Sequence, residues 1–145
     1  MGTWGIGHFD NDTAADFADG LDEAAPAERE AILRSALLGA ARAGEYLDDG
    51  EGVEAVAAAA LVAAQCPGGA AVASAYGPDG AIPPSAVELR GLAVAALDRV
   101  VAEESELAEL WDETAEGLAW RRGVRALREV LEPVPPRAGV PLFEL

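Results

Sequence analysis

Val53-Glu54-Ala55-Val56-Ala57-Ala58-Ala59-Ala60-Leu61-Val62-Ala63-Ala64-Gln65 is the stretch that decides the fold. Alanine is the best helix former because it surrenders no side-chain rotamers on folding. Val56, Ala57, Ala60, Leu61 and Ala64 recur at helical spacing, and Glu54 is the one charge among them. Side chains this small let neighbouring helices approach closely, so the segment is expected to be the most buried helix of an all-α protein. It is not a membrane span. The apolar run from Val53 to Tyr76 is broken at Pro67-Gly68-Gly69, well short of the roughly 20 residues a bilayer requires.

Upstream of it, Glu45 to Gly52 reads as an acidic, solvated turn. A calcium loop fails there, because a register begun at Asp48 puts Gly50 and Gly52 where its next carboxylate ligands belong. Before the turn, Pro26 suits a first helical turn, with Glu28 and Glu30 favoured by the helix dipole. The spacing predicts a helix over Ala27 to Ala43, ended by Gly44. Ile32, Leu33, Ala36, Leu37, Ala40 and Ala41 form its apolar face, and Arg29, Arg34 and Arg42 lie on the others. Further back, Asp10, Asn11 and Asp12 are good helix caps, and Ala14, Ala15, Phe17, Ala18 and Leu21 predict a short helix from Asp12 to near Gly20.

Downstream, Pro67 to Pro84 is rich in breakers. A connection of that length is expected to be partly ordered against the core or to contribute to a binding surface. Ser85 with Glu88 forms a capping box for a helix carrying Leu89, Leu92, Ala93, Ala96, Leu97 and Val100 up to about Ala102. Ser105 caps another, running through Leu107, Leu110, Trp111, Thr114 and Leu118. Trp120, Val124, Leu127 and Leu131 make a stripe out of phase with it, so a kink or break is expected near Gly117. The last helix must stop before Pro133. Together these segments predict a single helical domain over 1–145, an irregular bundle of about five or six helices. Its non-helical parts are an ordered Gly/Trp-rich N-terminal loop (1–11), the 67–84 connection and a Pro-rich tail (133–145).

The formal charge is −16, from 26 acidic and 10 basic residues, every one of the latter arginine. Such a charge repels nucleic-acid phosphates and removes the counterion-release term that drives most of their binding. No nucleic acid partner and no membrane association are expected. An acidic surface suits a basic protein partner, and it also serves solubility. Cys66 is the sole cysteine, which excludes an intramolecular disulfide and a Cys-based zinc site and suits a reducing cytoplasm. It reads as a small apolar filler. No basic segment followed by an apolar one opens the chain, so a cytoplasmic protein is expected. Arg121, Arg122, Arg125 and Arg128 crowd the last helix. Dipole compensation and exposed ion pairs account for them, with an anion site as the sharper alternative.

The opening stretch, Met1 to Asp16, holds three glycines, Trp4, Phe9 and the sole histidine, His8, beside Asp10, Asn11 and Asp12. A catalytic triad would have to use His8, and neither a Gly-x-Ser-x-Gly motif nor a P-loop is present. Gly5-x-Gly7 does not make a dinucleotide fingerprint, because Asp10 stands where the third glycine belongs. His8, Asp10, Asp12 and Asp16 could converge on manganese, iron or zinc. More economically, Asp10 to Asp12 cap a helix while Trp4 and Phe9 anchor the terminus near Trp111 and Trp120. On that reading the stretch is a structural clasp with a recognition edge of Trp4, Gly5, Gly7, His8, Phe9, Asp10, Asn11, Asp12 and Trp111. No cofactor is expected.

Met1-Gly2-Thr3-Trp4-Gly5-x-Gly7-x-Phe9-Asp10-Asn11-Asp12-x-Ala14-x-Asp16-Phe17, together with Ser105 to Trp111 and Trp120, resembles a bacterial family known as domain of unknown function 4259. The resemblance implies a small, mostly helical, cytoplasmic bacterial protein and supplies no activity. Small size, acidity and the missing catalytic set point to a non-enzymatic interaction or regulatory protein, immunity-like or antitoxin-like, whose partner is another protein. The alternative is a metal-dependent enzyme built on the N-terminal His/Asp cluster. Oligomeric state is open, since an alanine-rich helix can face a second copy, as in a homodimer, as readily as its own core.

Overall fold

The computed structural model describes residues 12–66 and 88–132. Within them lie six α-helices and no strand. They are α1 (Asp12–Glu23), α2 (Arg29–Ala41), α3 (Asp49–Ala63), α4 (Arg90–Val100), α5 (Glu106–Asp112) and α6 (Gly117–Leu131), with a 3-10 turn at Pro26–Glu28. Helices α2, α3 and α4 pack most closely on one another, α1 lies on α3, and α5 and α6 close the other side.

The centre is α3, buried continuously from Ala55 to Ala63 and also at Gly52 and Val53. A helix that is apolar all round must be enclosed, and alanine keeps its neighbours near. It starts at Asp49 rather than Val53, so Asp49 to Gly52 are helix and not turn. The Asp48 carboxylate accepts the Glu51 amide at 2.9 Å, and the Glu106 carboxylate accepts the Asp49 amide at 3.0 Å. Two of the free N–H groups at the helix start are thereby satisfied.

Helix α1 runs past Gly20 to Glu23 because Arg29 receives its end. The Arg29 guanidinium donates to the carbonyls of Leu21 (2.8 Å) and Asp22 (3.5 Å). Arg29 is therefore only 8% exposed, which corrects its expected place on an outer face. The stretch expected as the first turn of α2 is the 3-10 turn, and α2 ends at Ala41, before Gly44. Helix α4 is preceded by a 3-10 turn at Glu88 and Leu89 and stops at Val100. Leu89, Ala93, Ala96, Leu97 and Val100 are buried as the spacing predicts.

The expected break is present. Helix α5 ends at Asp112 and α6 begins at Gly117, whose stripe of Trp120, Val124, Leu127 and Leu131 is buried. Leu118 belongs to neither face and is 71% exposed. A Cβ at Gly117 would stand 2.6 Å from the Trp111 carbonyl oxygen, so only glycine allows α6 to start this close to the end of α5. Cys66 is buried and its thiol donates to the Val62 carbonyl at 3.4 Å, with burial pushing its pKa up against the lowering effect of Arg90. The Ser85 cap, the 67–84 connection and the 133–145 tail lie outside the described residues.

Candidate recognition surface

Two loops distant in sequence meet where α2 leads into α3 and α4 into α5. Leu47 and Ser105 form an isolated parallel bridge. The Leu47 amide donates to the Glu104 carbonyl at 2.8 Å, and the Glu106 amide donates to the Leu47 carbonyl at 2.9 Å. Leu47 and Ser105 are both fully buried, and the Ser105 hydroxyl accepts the Ala108 amide at 3.4 Å as the N-cap of α5. Glu104 turns the chain with a left-handed φ of 62°, an uncommon conformation for a residue other than glycine.

Arg99 holds this seam through backbone carbonyls. Its Nε donates to Ala43 (3.3 Å), Nη1 to Glu103 (3.1 Å), and Nη2 to Glu45 (2.6 Å) and Glu104 (3.1 Å). One fixed guanidinium fork thus binds both loops. Tyr46 adds an outer tie, its hydroxyl donating to the Glu109 carboxylate at 2.8 Å. That hydrogen bond is the main reason its pKa is pushed up to about 12.

A groove of about 370 Å³ opens beside the seam, lined by Val101, Ala102, Ala108 and Arg121 and by the carboxylates of Glu103, Glu104, Glu109 and Asp112. Arg121 grips Asp112 with both ends of its fork, at 2.9 and 2.8 Å, while Nη1 donates to the Val101 carbonyl at 3.2 Å. The hydrogen bond from Arg121 is what holds the Asp112 carboxyl below its ordinary range. Glu103, Glu104 and Glu109 are exposed, as are Glu113 and Glu116 just beyond. Next to them Trp111, half-buried, stacks nearly parallel on buried Trp120 with ring centroids 5.9 Å apart. This end of the molecule offers carboxylate acceptors on a frame that the seam ties together through backbone hydrogen bonds.

Of the residues the sequence singles out, Trp111 stands at this surface. Asp12 and Asp16 are exposed on α1. Trp4, Gly5, Gly7, His8, Phe9, Asp10 and Asn11 lie outside the described residues, and with them the expected packing of the N-terminal loop on Trp111 and Trp120. No group of three metal-ligating side chains stands together among the described residues. The four arginines of α6 do not gather on one anion. Arg121 pairs with Asp112, Arg128 pairs with Asp98 (2.7 Å) and Glu132 (2.9 Å), and Arg122 and Arg125 are exposed. Arg121, Arg125 and Arg128 do border a hollow of about 160 Å³, but Asp98 borders it too.

Sequence reasoning missed Leu47, Arg99 and Glu106. The one hint was Leu47 itself, an apolar residue isolated in a polar turn just before a cap.

An all-helical protein with a carboxylate-rimmed groove at the junction of α4, α5 and α6 is what these residues define. The chain belongs to the family Domain of unknown function (DUF4259), whose model matches residues 2–123, and so takes in α1 to α5 and the first turns of α6. No curated protein and no solved structure matches it. No helix among the described residues is long and apolar enough to cross a membrane.

Proposed function

We propose that the protein acts by binding another protein, as a non-enzymatic interaction or regulatory component of the bacterial cytoplasm, immunity-like or antitoxin-like in kind. The observation that carries this reading is the set of exposed carboxylates at Glu103, Glu104, Glu109, Glu113 and Glu116, held on a stitched frame in a chain of net charge −16. Charge of one sign concentrated beside a groove steers a basic partner. A frame already ordered before binding spares the complex part of the usual ordering cost. Trp111 supplies an aromatic edge, and the recognition role expected of Trp4, Gly5, Gly7, His8, Phe9, Asp10, Asn11 and Asp12 belongs to the same reading.

Cross-linked capture from a bacterial lysate, with the bound protein identified and its affinity then measured in purified form, tests the proposal. Neutralising Glu109, Glu113 and Glu116 together to glutamine, or changing Trp4→Ala, should weaken that affinity by about tenfold or more, and added salt should weaken it further. Recovery of no specific partner at several salt concentrations would count decisively against the reading, as would a partner indifferent to all of these changes.

A further inference from the structure

A second groove, of about 350 Å³, lies between α1, α2 and α3 and is lined by Phe17, Ile32, Ser35, Ala36, Gly39, Glu51 and Glu54. Phe17 and Ile32 are half-buried and leave apolar surface facing it. Glu51 and Glu54 border it, and among the described residues neither carboxylate has a cationic partner. Glu54 is itself half-buried, on the helix that is otherwise the apolar centre of the molecule. The wall formed by α2 is small. Ile32, Ser35, Ala36 and Gly39 follow one another along one helical face, and a Cβ built at Gly39 meets nothing within 4 Å. Glycine weakens a helix relative to alanine, and nothing among the described residues needs the missing methyl.

The geometry points to this groove as the docking site for an amphipathic helix of a basic partner protein, with an arginine or lysine stem lying on Phe17 and Ile32 and its cation meeting Glu51 and Glu54. Charge complementarity selects the occupant. A neutral apolar helix would bury the Glu54 carboxylate further with nothing to balance it, which is costly, and an acidic helix would add repulsion. A cationic stem covers apolar surface while its head stays with the carboxylates. The small residues of α2 let a helix backbone come near, as close helix packing requires. This inference rests on the reading of the protein as one that binds another protein, but it uses a different surface.

The test is a titration with a synthetic amphipathic helical peptide of leucine, alanine and arginine, followed by fluorescence anisotropy at physiological salt. The same peptide with citrulline in place of arginine is the neutral control. Glu54→Gln and Gly39→Leu should each weaken the arginine peptide by about tenfold or more. Glu129→Gln, which removes the same charge from an exposed position on α6, should leave it unchanged, and the citrulline peptide should bind far more weakly. Thermal melts of each variant establish that it is folded. Equal losses in Glu54→Gln and Glu129→Gln would show only diffuse attraction to an acidic chain and overturn the proposal. Equal binding of the citrulline peptide would make the groove an apolar site, and a dimer abolished by Gly39→Leu in sedimentation would assign it to a second copy. Either result overturns the basic-helix assignment. Failure of the peptide while a captured protein still depends on Trp4 sinks this inference and leaves the broader reading standing.

Discussion

At the α4–α5–α6 end, Asp112 lies in a two-point bond with Arg121 and Arg99 spreads its guanidinium over four carbonyls. In the α1–α2–α3 groove, Glu54 is half-buried and, among the described residues, has no cationic partner, beside a glycine that fills no tight space. Arg99, Arg121 and Asp112 are spent on holding the chain together. Glu54 is left over. An exposed ion pair such as Arg121–Asp112 contributes little stability in water, so the first end owes its order to buried backbone bonds and to Leu47. Groups that the fold uses and groups that the fold merely tolerates give opposite responses to removal, and that contrast can be measured.

The largest effect is expected at Leu47, which is fully buried and bridged on both sides by backbone hydrogen bonds. Leu47→Ala should cost about 2 to 5 kcal/mol of unfolding free energy by urea denaturation. Hydrogen exchange at the Leu47 and Glu106 amides should speed up more than at α3. A loss below about 1 kcal/mol would mean that the seam is dispensable.

Alanine placed at two glycines sharpens the same contrast. At Gly117 the new Cβ would meet the Trp111 carbonyl oxygen at 2.6 Å, so Gly117→Ala should destabilise by about 1 to 3 kcal/mol as the start of α6 is pushed off α5. At Gly39 the space is open and the backbone is helical, so Gly39→Ala should stabilise by about 0.5 to 1 kcal/mol. Changes of the same sign in the two melts would break the comparison.

Much of the fold was legible because its signals are local. The apolar identity of α3, the buried stripe of α6, the Ser105 cap and the interruption ahead of Gly117 each depend on residues within a few turns of one another. The seam was not. Arg99 reaches Ala43 across 56 positions, and Glu106 caps Asp49 across 57; no periodicity encodes a partner that far away. Arg29 looked like an outward cation because its helical phase carries no sign that α1 ends above it. Of the candidate surface, Trp111 is the residue that the sequence also singles out for recognition. Glu54 stood out as the lone charge in the deciding stretch, but its groove depends on how α1 and α2 lie against α3, which a single helix cannot report.

The smallest effects, and the ones that separate the two ends most cleanly, follow pH. Burial raises the Glu54 pKa, with the nearby carboxylates of Glu51 and Asp48 adding to the shift. The folded state therefore binds that proton more tightly than the unfolded chain does. The group's favourable contribution is present below the ordinary glutamate value and is lost as pH rises through its raised value, which leaves a penalty at neutral pH. Glu54→Gln removes the penalty, so at pH 7 the variant should melt higher than the parent, and its advantage should shrink as pH falls towards the ordinary glutamate range. Asp112 runs the other way. The hydrogen bond from Arg121 lowers its pKa, so its contribution is present above the ordinary aspartate value and fades as pH falls through the lowered one. Asp112→Asn should melt slightly lower at pH 7, by no more than about 1 kcal/mol for a surface pair, and should converge with the parent in acid. Melting curves of both variants across that pH range decide the matter. A destabilised Glu54→Gln at neutral pH would mean that the fold does use this carboxylate, and the groove between α1, α2 and α3 would lose its claim to a group held in reserve for a partner.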